Sequence, residues 1–129
     1  MISKTMRFAA VAAVALIGAG VAGKAMAAGD ATAGAADFKA ICTMCHTNEA
    51  GKNKIGPSLF GVVGRTAGTA AGFNYSSAMK SFGKTWDDAL LDKYLTDPKA
   101  VVPGNKMPYA GVKDDKKRAD IIAYLDTLK

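Results

Sequence analysis

Histidine occurs once in this chain of 129 residues, at His46, and cysteine twice, at Cys42 and Cys45. That scarcity excludes a His-rich metal site, a disulfide-stapled scaffold and a Ser-His-Asp triad built on any other histidine. No stretch alternates apolar and polar residues as a half-buried strand does, so no sheet is expected. Aromatics make up 8% and proline numbers 4, which fits neither a disordered segment nor a repeat-built fibre. With 50% hydrophobic and 22% charged residues, the chain suits one small domain with a modest core rather than two domains.

The N-terminus reads as an export signal. Lys4 and Arg7 precede an apolar run from Phe8 to Ala22, and Ala25-Met26-Ala27 puts small residues at the two positions a signal peptidase reads. The run of 15 residues, interrupted by Gly18 and Gly20, falls short of the roughly 20 that a membrane span needs. Residues 1–27 are therefore expected to be a cleaved secretory signal peptide and 28–129 the folded domain, with the bacterial periplasm as the address. Without Lys4, Arg7 and Lys24, 14 basic residues face 11 acidic ones, and the net charge drops from +6 to +3. Such a balance is too mild and too poor in Arg for nucleic acid, although clustered Lys can still steer an acidic protein partner.

Helical patterns dominate the remainder. Asp30 caps an expected helix from Ala31 to Cys42 whose apolar stripe is Ala35, Phe38 and Ile41. Between Thr47 and Asn74 lie six Gly, one Pro and no sustained period, a long loop of the kind that wraps something functional. Ser76 to Phe82 forms a short helix and Asp87 to Thr96 a better one, with Leu90, Leu91, Tyr94 and Leu95 on one side and Pro98 ending it. The last helix, Asp114 to Leu128, opens with two acids, ends beside Lys129 and buries Ile121, Tyr124, Leu125 and Leu128. The expected fold class is all-α.

Cys42-Thr43-Met44-Cys45-His46 matches the C-x-x-C-H haem attachment pattern. Two thiols at this spacing form thioethers with the two vinyl groups of one haem, and the adjoining imidazole becomes an axial ligand of the iron. A thiol-disulfide exchange site competes, since C-x-x-C spacing can lower a thiol pKa, but such sites sit between a strand and a helix and no strand is expected here. A zinc site lacks a fourth His or Cys.

With no second histidine, the sixth iron position falls to Met, Lys, Tyr or nothing. Met44 lies inside the attachment turn on the His46 side, and Met79 in a short helix reads as core filler. Met107 stands in Pro103-Gly104-Asn105-Lys106-Met107-Pro108, a polar loop with no core face to serve, and is the preferred ligand. His/Met ligation raises the reduction potential and fills both axial positions, as suits electron transfer rather than oxygen chemistry.

Beyond that motif, the chain resembles a class I c-type cytochrome, close to soluble bacterial cytochromes c2 and mitochondrial cytochrome c, over nearly all of residues 29 to 129. The matching segments include Gly34 and Phe38, Gly56-Pro57-Ser58-Leu59, Gly61-Val62-Val63-Gly64-Arg65, Gly72-Phe73-Asn74-Tyr75, Trp86, Tyr94-Leu95-Thr96-Asp97-Pro98-Lys99, Pro103-Gly104-Asn105-Lys106-Met107 and Ile121-Ile122-Ala123-Tyr124-Leu125. The resemblance implies a fold in which the N- and C-terminal helices pack together, meeting at Gly34 and Phe38, while loops wrap one covalent haem c. It implies that the Pro57 carbonyl accepts the other ring N–H of His46, where otherwise Pro57 would simply end a turn. Arg65, Tyr75 and Trp86 match positions that hold a buried haem propionate, and Tyr94 a residue whose hydroxyl lies near the Met sulfur. By pattern alone Arg65 would be a solvated loop charge, Trp86 a core residue and Tyr94 helix stripe. Asn105 stands where the mitochondrial proteins usually have Thr, and an amide could still donate to the second propionate. Met79 replaces a polar residue common near the haem.

Lys54, Lys99, Lys106 and Lys113 match members of a basic docking ring around the haem edge, while Ile41 and Ala100 lack the Lys expected there. Fewer docking charges imply a shallower loss of rate as salt rises. The implied activity is one-electron shuttling by a soluble, monomeric periplasmic carrier that turns over no substrate itself. The implied partners are membrane electron-transfer complexes with acidic docking faces: a bc-type quinol-oxidising complex as donor and a terminal oxidase or photosynthetic reaction centre as acceptor. A haem enzyme or gas sensor with an open iron position is the alternative.

Overall fold

Asp30 opens the first helix. In the computed structural model, which describes residues 28–129, its carboxylate accepts the backbone N–H groups of Thr32 at 2.8 Å and Ala33 at 3.2 Å, and α1 runs Ala31–Ile41. The expected signal peptide, residues 1–27, lies outside the described residues. Ser76 likewise caps α2 (Ser77–Phe82), Asp87 caps α3 (Asp88–Thr96), Asp97 caps α4 (Pro98–Val101) and Asp114 caps α5 (Asp115–Asp126). Each cap satisfies N–H groups that the first helical turn leaves without partners, and contributes about 1 kcal/mol.

The helices fall where the apolar period placed them, with two differences. Pro98 does not merely stop α3: its fixed φ suits the first turn of α4, which at four residues is too short to show a period. The last helix ends at Asp126 rather than Leu128, and its expected stripe is only partly covered. Ile121, Ile122 and Leu125 are buried, whereas Tyr124 and Leu128 stay partly exposed. Among the described residues there is no β-strand, only an isolated bridge between Thr66 and Thr85.

α1 and α5, from opposite ends of the described chain, pack directly together. Gly34 permits the approach, because a Cβ there would stand 1.8 Å from the Asp120 carbonyl oxygen and 2.9 Å from Tyr124 Cβ. One turn on, Phe38 is buried, with its ring 5.1 Å from that of Tyr124. The buried Asp120 carboxylate accepts the Asp30 N–H at 2.8 Å and Lys116 Nζ at 2.6 Å, so α5 grips the start of α1 as well. The Asp30 N–H, then the Lys116 ammonium, hold the Asp120 carboxyl below its usual range.

Arg118 joins α5 to α3. Its Nε lies 2.6 Å from Asp92, its Nη2 2.8 Å from Asp115, and its Nη1 donates to the Val112 carbonyl at 3.0 Å. The long loop is tied down in turn: Gly61 N–H donates to the Leu128 carbonyl at 2.6 Å, Gly64 N–H to Trp86 at 2.7 Å and Trp86 N–H to Arg65 at 2.9 Å. One core results, centred on Phe38, Val62, Trp86, Leu91, Tyr94 and Ile121.

Gly34→Ala should force α1 and α5 apart, since the new methyl meets backbone that cannot rotate away. The expected cost is about 3 kcal/mol, read as a lowered urea midpoint with an unchanged denaturant slope.

Candidate functional site

Where α1 ends, the chain turns tightly. Cys42 caps the helix, its N–H donating to the Phe38 carbonyl at 2.8 Å, and Cys45 and His46 N–H groups both return to the Cys42 carbonyl, at 3.1 and 2.8 Å. Both thiols are free and half-buried. Burial first, then the nearby Asp37 and Cys45, push the Cys42 thiol up to about 11. An attacking thiol is favoured by the opposite shift. Among the described residues no three His, Cys, Asp or Glu side chains converge on one point.

His46 is held from a second stretch of chain. Its Nδ1 lies 2.7 Å from the Pro57 carbonyl oxygen. A carbonyl only accepts, so Nδ1 carries the proton and Nε2 keeps its lone pair. Burial lowers the imidazole pKa, which keeps the ring neutral and able to ligate. Gly56 N–H donates to the Cys45 carbonyl at 2.7 Å, and a Cβ at Gly56 would stand 2.4 Å from His46 Cε1. Only glycine lets the backbone close against the ring here.

Met107 sits across the sequence from this turn, half-buried in a segment whose neighbours Lys106, Pro108, Tyr109 and Ala110 are exposed. Tyr94 is buried against Trp86, ring centroids 4.8 Å apart, and Trp86 lies 5.7 Å from Phe82. Arg65 and Trp86 are brought side by side by the Trp86 N–H bond to the Arg65 carbonyl. The half-buried Arg65 guanidinium donates only to carbonyls, those of Phe60 at 3.2 Å and Ser58 at 3.1 Å, and meets no carboxylate among the described residues. The Tyr75 hydroxyl accepts the Ala70 N–H at 3.0 Å and still has its own proton to donate.

Asn105, whose amide the resemblance leaves able to donate to a second propionate, bonds backbone from both ends of its side chain. Its Nδ2 donates to the carbonyls of Pro98 at 3.0 Å and Val102 at 2.8 Å, and its Oδ1 accepts the Met107 N–H at 2.9 Å. Both amide hydrogens are therefore committed to backbone. Sequence reasoning also missed Arg118 and Asp120: their near partners Asp115 and Lys116 read as ordinary surface pairs, and the contacts with Asp92 and Asp30 that bury them lie far along the chain.

The four lysines divide between two places. Lys54 donates to the Thr43 carbonyl beside the cysteine turn. Lys99 and Lys113 line a surface hollow of about 470 Å³ with Asp97, Pro108, Tyr109 and Ala110, and the exposed Lys106 adjoins Met107. Lys99 Nζ reaches the Asn105 carbonyl at 3.3 Å and Lys113 Nζ the Thr96 carbonyl at 2.5 Å.

The residue set fits one large, flat apolar ligand with acidic tails. Two unpaired thiols share a turn, an oriented neutral imidazole follows them, and a half-buried guanidinium lacks an anion. Leu59, Val63, Tyr75, Phe82, Leu95 and Met107 pack against the core but remain only partly covered.

Comparison with known sequences decides the family: the Cytochrome c family pattern matches residues 31–129. The chain belongs to the cytochrome c family. It is 52% identical over 101 residues to cytochrome c2 of Rhodopila globiformis, covering 78% of this chain and 95% of that protein. It is 56% identical over 88 residues to cytochrome c2 iso-2 of Magnetospirillum fulvum, covering 68% and 92%. Among solved structures, cytochrome cH from Methylobacterium extorquens superposes with a TM-score of 0.73 at 53% identity, covering 77% of this chain and 99% of that one. The class I cytochrome c fold and covalent haem c, with Cys42 and Cys45 at the two thioether positions, follow from membership of this family.

Burial pushes the Tyr94 hydroxyl up from 10 to about 12. Between those values the unfolded chain loses this proton while the folded chain keeps it, so stability falls as pH rises. The Tyr94 contribution is up to about 3 kcal/mol, at about 1.4 kcal/mol per pKa unit. Tyr94→Phe should flatten the fall in urea midpoint between pH 10 and 12 by that amount.

Proposed function

We propose that the chain is a periplasmic one-electron carrier whose haem iron would be held by His46 and Met107. The observation that carries this reading is the His46 Nδ1–H bond to the Pro57 carbonyl at 2.7 Å, which leaves Nε2 as a ready donor one residue from the thioether positions. Met107 supports it as the half-buried thioether in an otherwise exposed loop. Haem supplies an iron that alternates between ferric and ferrous. His46 holds its geometry in both states because Pro57 and Gly56 fix the ring. With Met107 also holding the iron, no position would be left for oxygen or peroxide, so the site would move charge rather than substrate.

Arg65, Tyr75 and Trp86 would hold a carboxylate tail of the haem, their donors and positive charge offsetting the cost of removing that anion from water. Tyr94, Trp86 and Phe82 exclude water on the same side. Asn105 Nδ2 bonds the Pro98 and Val102 carbonyls, so it would reach such a tail only by giving up one of them.

We assign the docking face to Lys54, Lys99, Lys106 and Lys113. The partners this face suits are membrane complexes with acidic surfaces: a bc-type quinol-oxidising complex as donor, a terminal oxidase or photosynthetic reaction centre as acceptor. Among the described residues no helix is long and apolar enough to cross a membrane. The periplasmic address rests on the export signal read in residues 1–27, and the monomeric state on the single small core.

The spectra of the purified native protein test the ligand assignment. A sulfur-to-ferric-iron charge-transfer band in the near infrared is expected, lost in Met107→Ala, which should also bind carbon monoxide rapidly when reduced and show a lower potential. Rapid carbon monoxide binding by the unaltered protein would instead make it an enzyme or sensor with an open iron. For the docking face, Lys106→Glu with Lys113→Glu should slow reduction by an acidic partner roughly tenfold at low salt, with the difference closing as salt rises.

A further inference from the structure

The segment 106–111 carries Met107 yet has almost no backbone pairing of its own. Its flanks are anchored, Asn105 N–H to the Val102 carbonyl at 3.1 Å and Val112 N–H to the Leu95 carbonyl at 2.7 Å. Between them, among the described residues, the one backbone group of 106–111 with a hydrogen bond is the Met107 N–H, and its acceptor is the Asn105 side chain at 2.9 Å. Gly104 (φ +87°) and Gly111 (φ +112°) bracket the segment, in a backbone region that side chains disfavour.

Asn105 is 5% exposed and fully committed. Its Nδ2 faces the carbonyls of Pro98 and Val102 while its Oδ1 faces an N–H, so the orientation of the amide is set by the network rather than chosen. One side chain thus ties the start of α4, the residue that caps its end and the backbone of Met107. Its own carbonyl is held by Lys99 Nζ at 3.3 Å.

Resting on the reading of Met107 as an axial ligand, we propose that Asn105 is the positioning residue that keeps Met107 seated, a latch whose release lets residues 106–111 lift from the iron. A ligand that needs the open position binds in proportion to the fraction of molecules in which the loop is lifted, so weakening the latch raises its apparent affinity.

Imidazole titration of the ferric holoprotein measures that fraction. Asn105→Ala should bind imidazole about tenfold more tightly than the unaltered protein, the scale of one lost buried hydrogen bond. Asn105→Ser should fall between, because a hydroxyl can accept the Met107 N–H in a weaker turn of the same kind. Asp30→Ala, which removes the α1 cap far from this loop, should lower the unfolding midpoint and leave imidazole binding unmoved. If Asn105→Ala fails to fold, amide exchange in the native holoprotein decides: the Met107 N–H should exchange at least tenfold more slowly than those of Lys106 and Tyr109. Imidazole affinity unchanged in Asn105→Ala, raised equally in Asp30→Ala, or a Met107 N–H exchanging as fast as its neighbours overturns the latch. If the near-infrared band is present in such a protein, Met107 remains the ligand and only the latch falls. If the unaltered protein lacks the band and binds imidazole as tightly as Met107→Ala, the ligand assignment falls and the latch with it.

Discussion

The hydrogen bond from His46 Nδ1–H to the Pro57 carbonyl joins two stretches of chain with no helix between them, and most of the site hangs from it. It selects the tautomer, orients the ring and leaves Nε2 as the donor. It also requires residues 54–57 to close on the cysteine turn, which explains why Gly56 stands where any Cβ would collide with the imidazole. The cysteine turn is itself aimed by α1, and α1 is aimed by its crossing with α5 at Gly34. A change at the helix crossing therefore reaches the imidazole through a short, rigid path.

Two buried charges steady that path. Asp120 binds the first N–H of the α1 cap, and Arg118 binds Asp92, Asp115 and the Val112 carbonyl. Neither is left with an idle polar atom, since among the described residues no buried side-chain nitrogen or oxygen lacks a partner. A buried ion pair adds little net stability over apolar packing, but losing one partner is costly, so these contacts act by penalising wrong arrangements. Arg118 matters most for the site because its carbonyl partner, Val112, ends the loop that bears Met107.

How far the sequence disclosed this depends on where each partner lies along the chain. Cys42, Cys45 and His46 are adjacent, so their chemistry was legible as a motif before any fold was known. α1, α3 and α5 were legible because a buried face repeats every three or four residues and a capping Asp precedes each. α4 was not, being one turn long, and Arg118 and Asp120 were not, because beside their near partners Asp115 and Lys116 each has a decisive partner 26 or 90 residues away. Asn105 shows the limit of a resemblance. An amide carries two donors as well as an acceptor, and the fold directs both donors to backbone carbonyls, which no sequence pattern specifies.

That exchange alters the balance of the site. One side is rigid through aromatic packing, with Trp86 between Tyr94 and Phe82 and with Arg65 bound to two carbonyls. Displacing any of these opens the core, at a cost of several kcal/mol. On the Met107 side the packing of Met107 against the core is supplemented by one side-chain hydrogen bond and by flanks anchored at Asn105 and Val112. A carrier must reorganise little between oxidation states, and a buried amide latch meets that need while the chain is undisturbed. Because the latch lies in a loop and not in the core, its release leaves Phe38, Ile121 and Leu125 packed. The same molecule can then be stiff as a carrier and still be the kind of fold in which one ligand comes away without unfolding the rest.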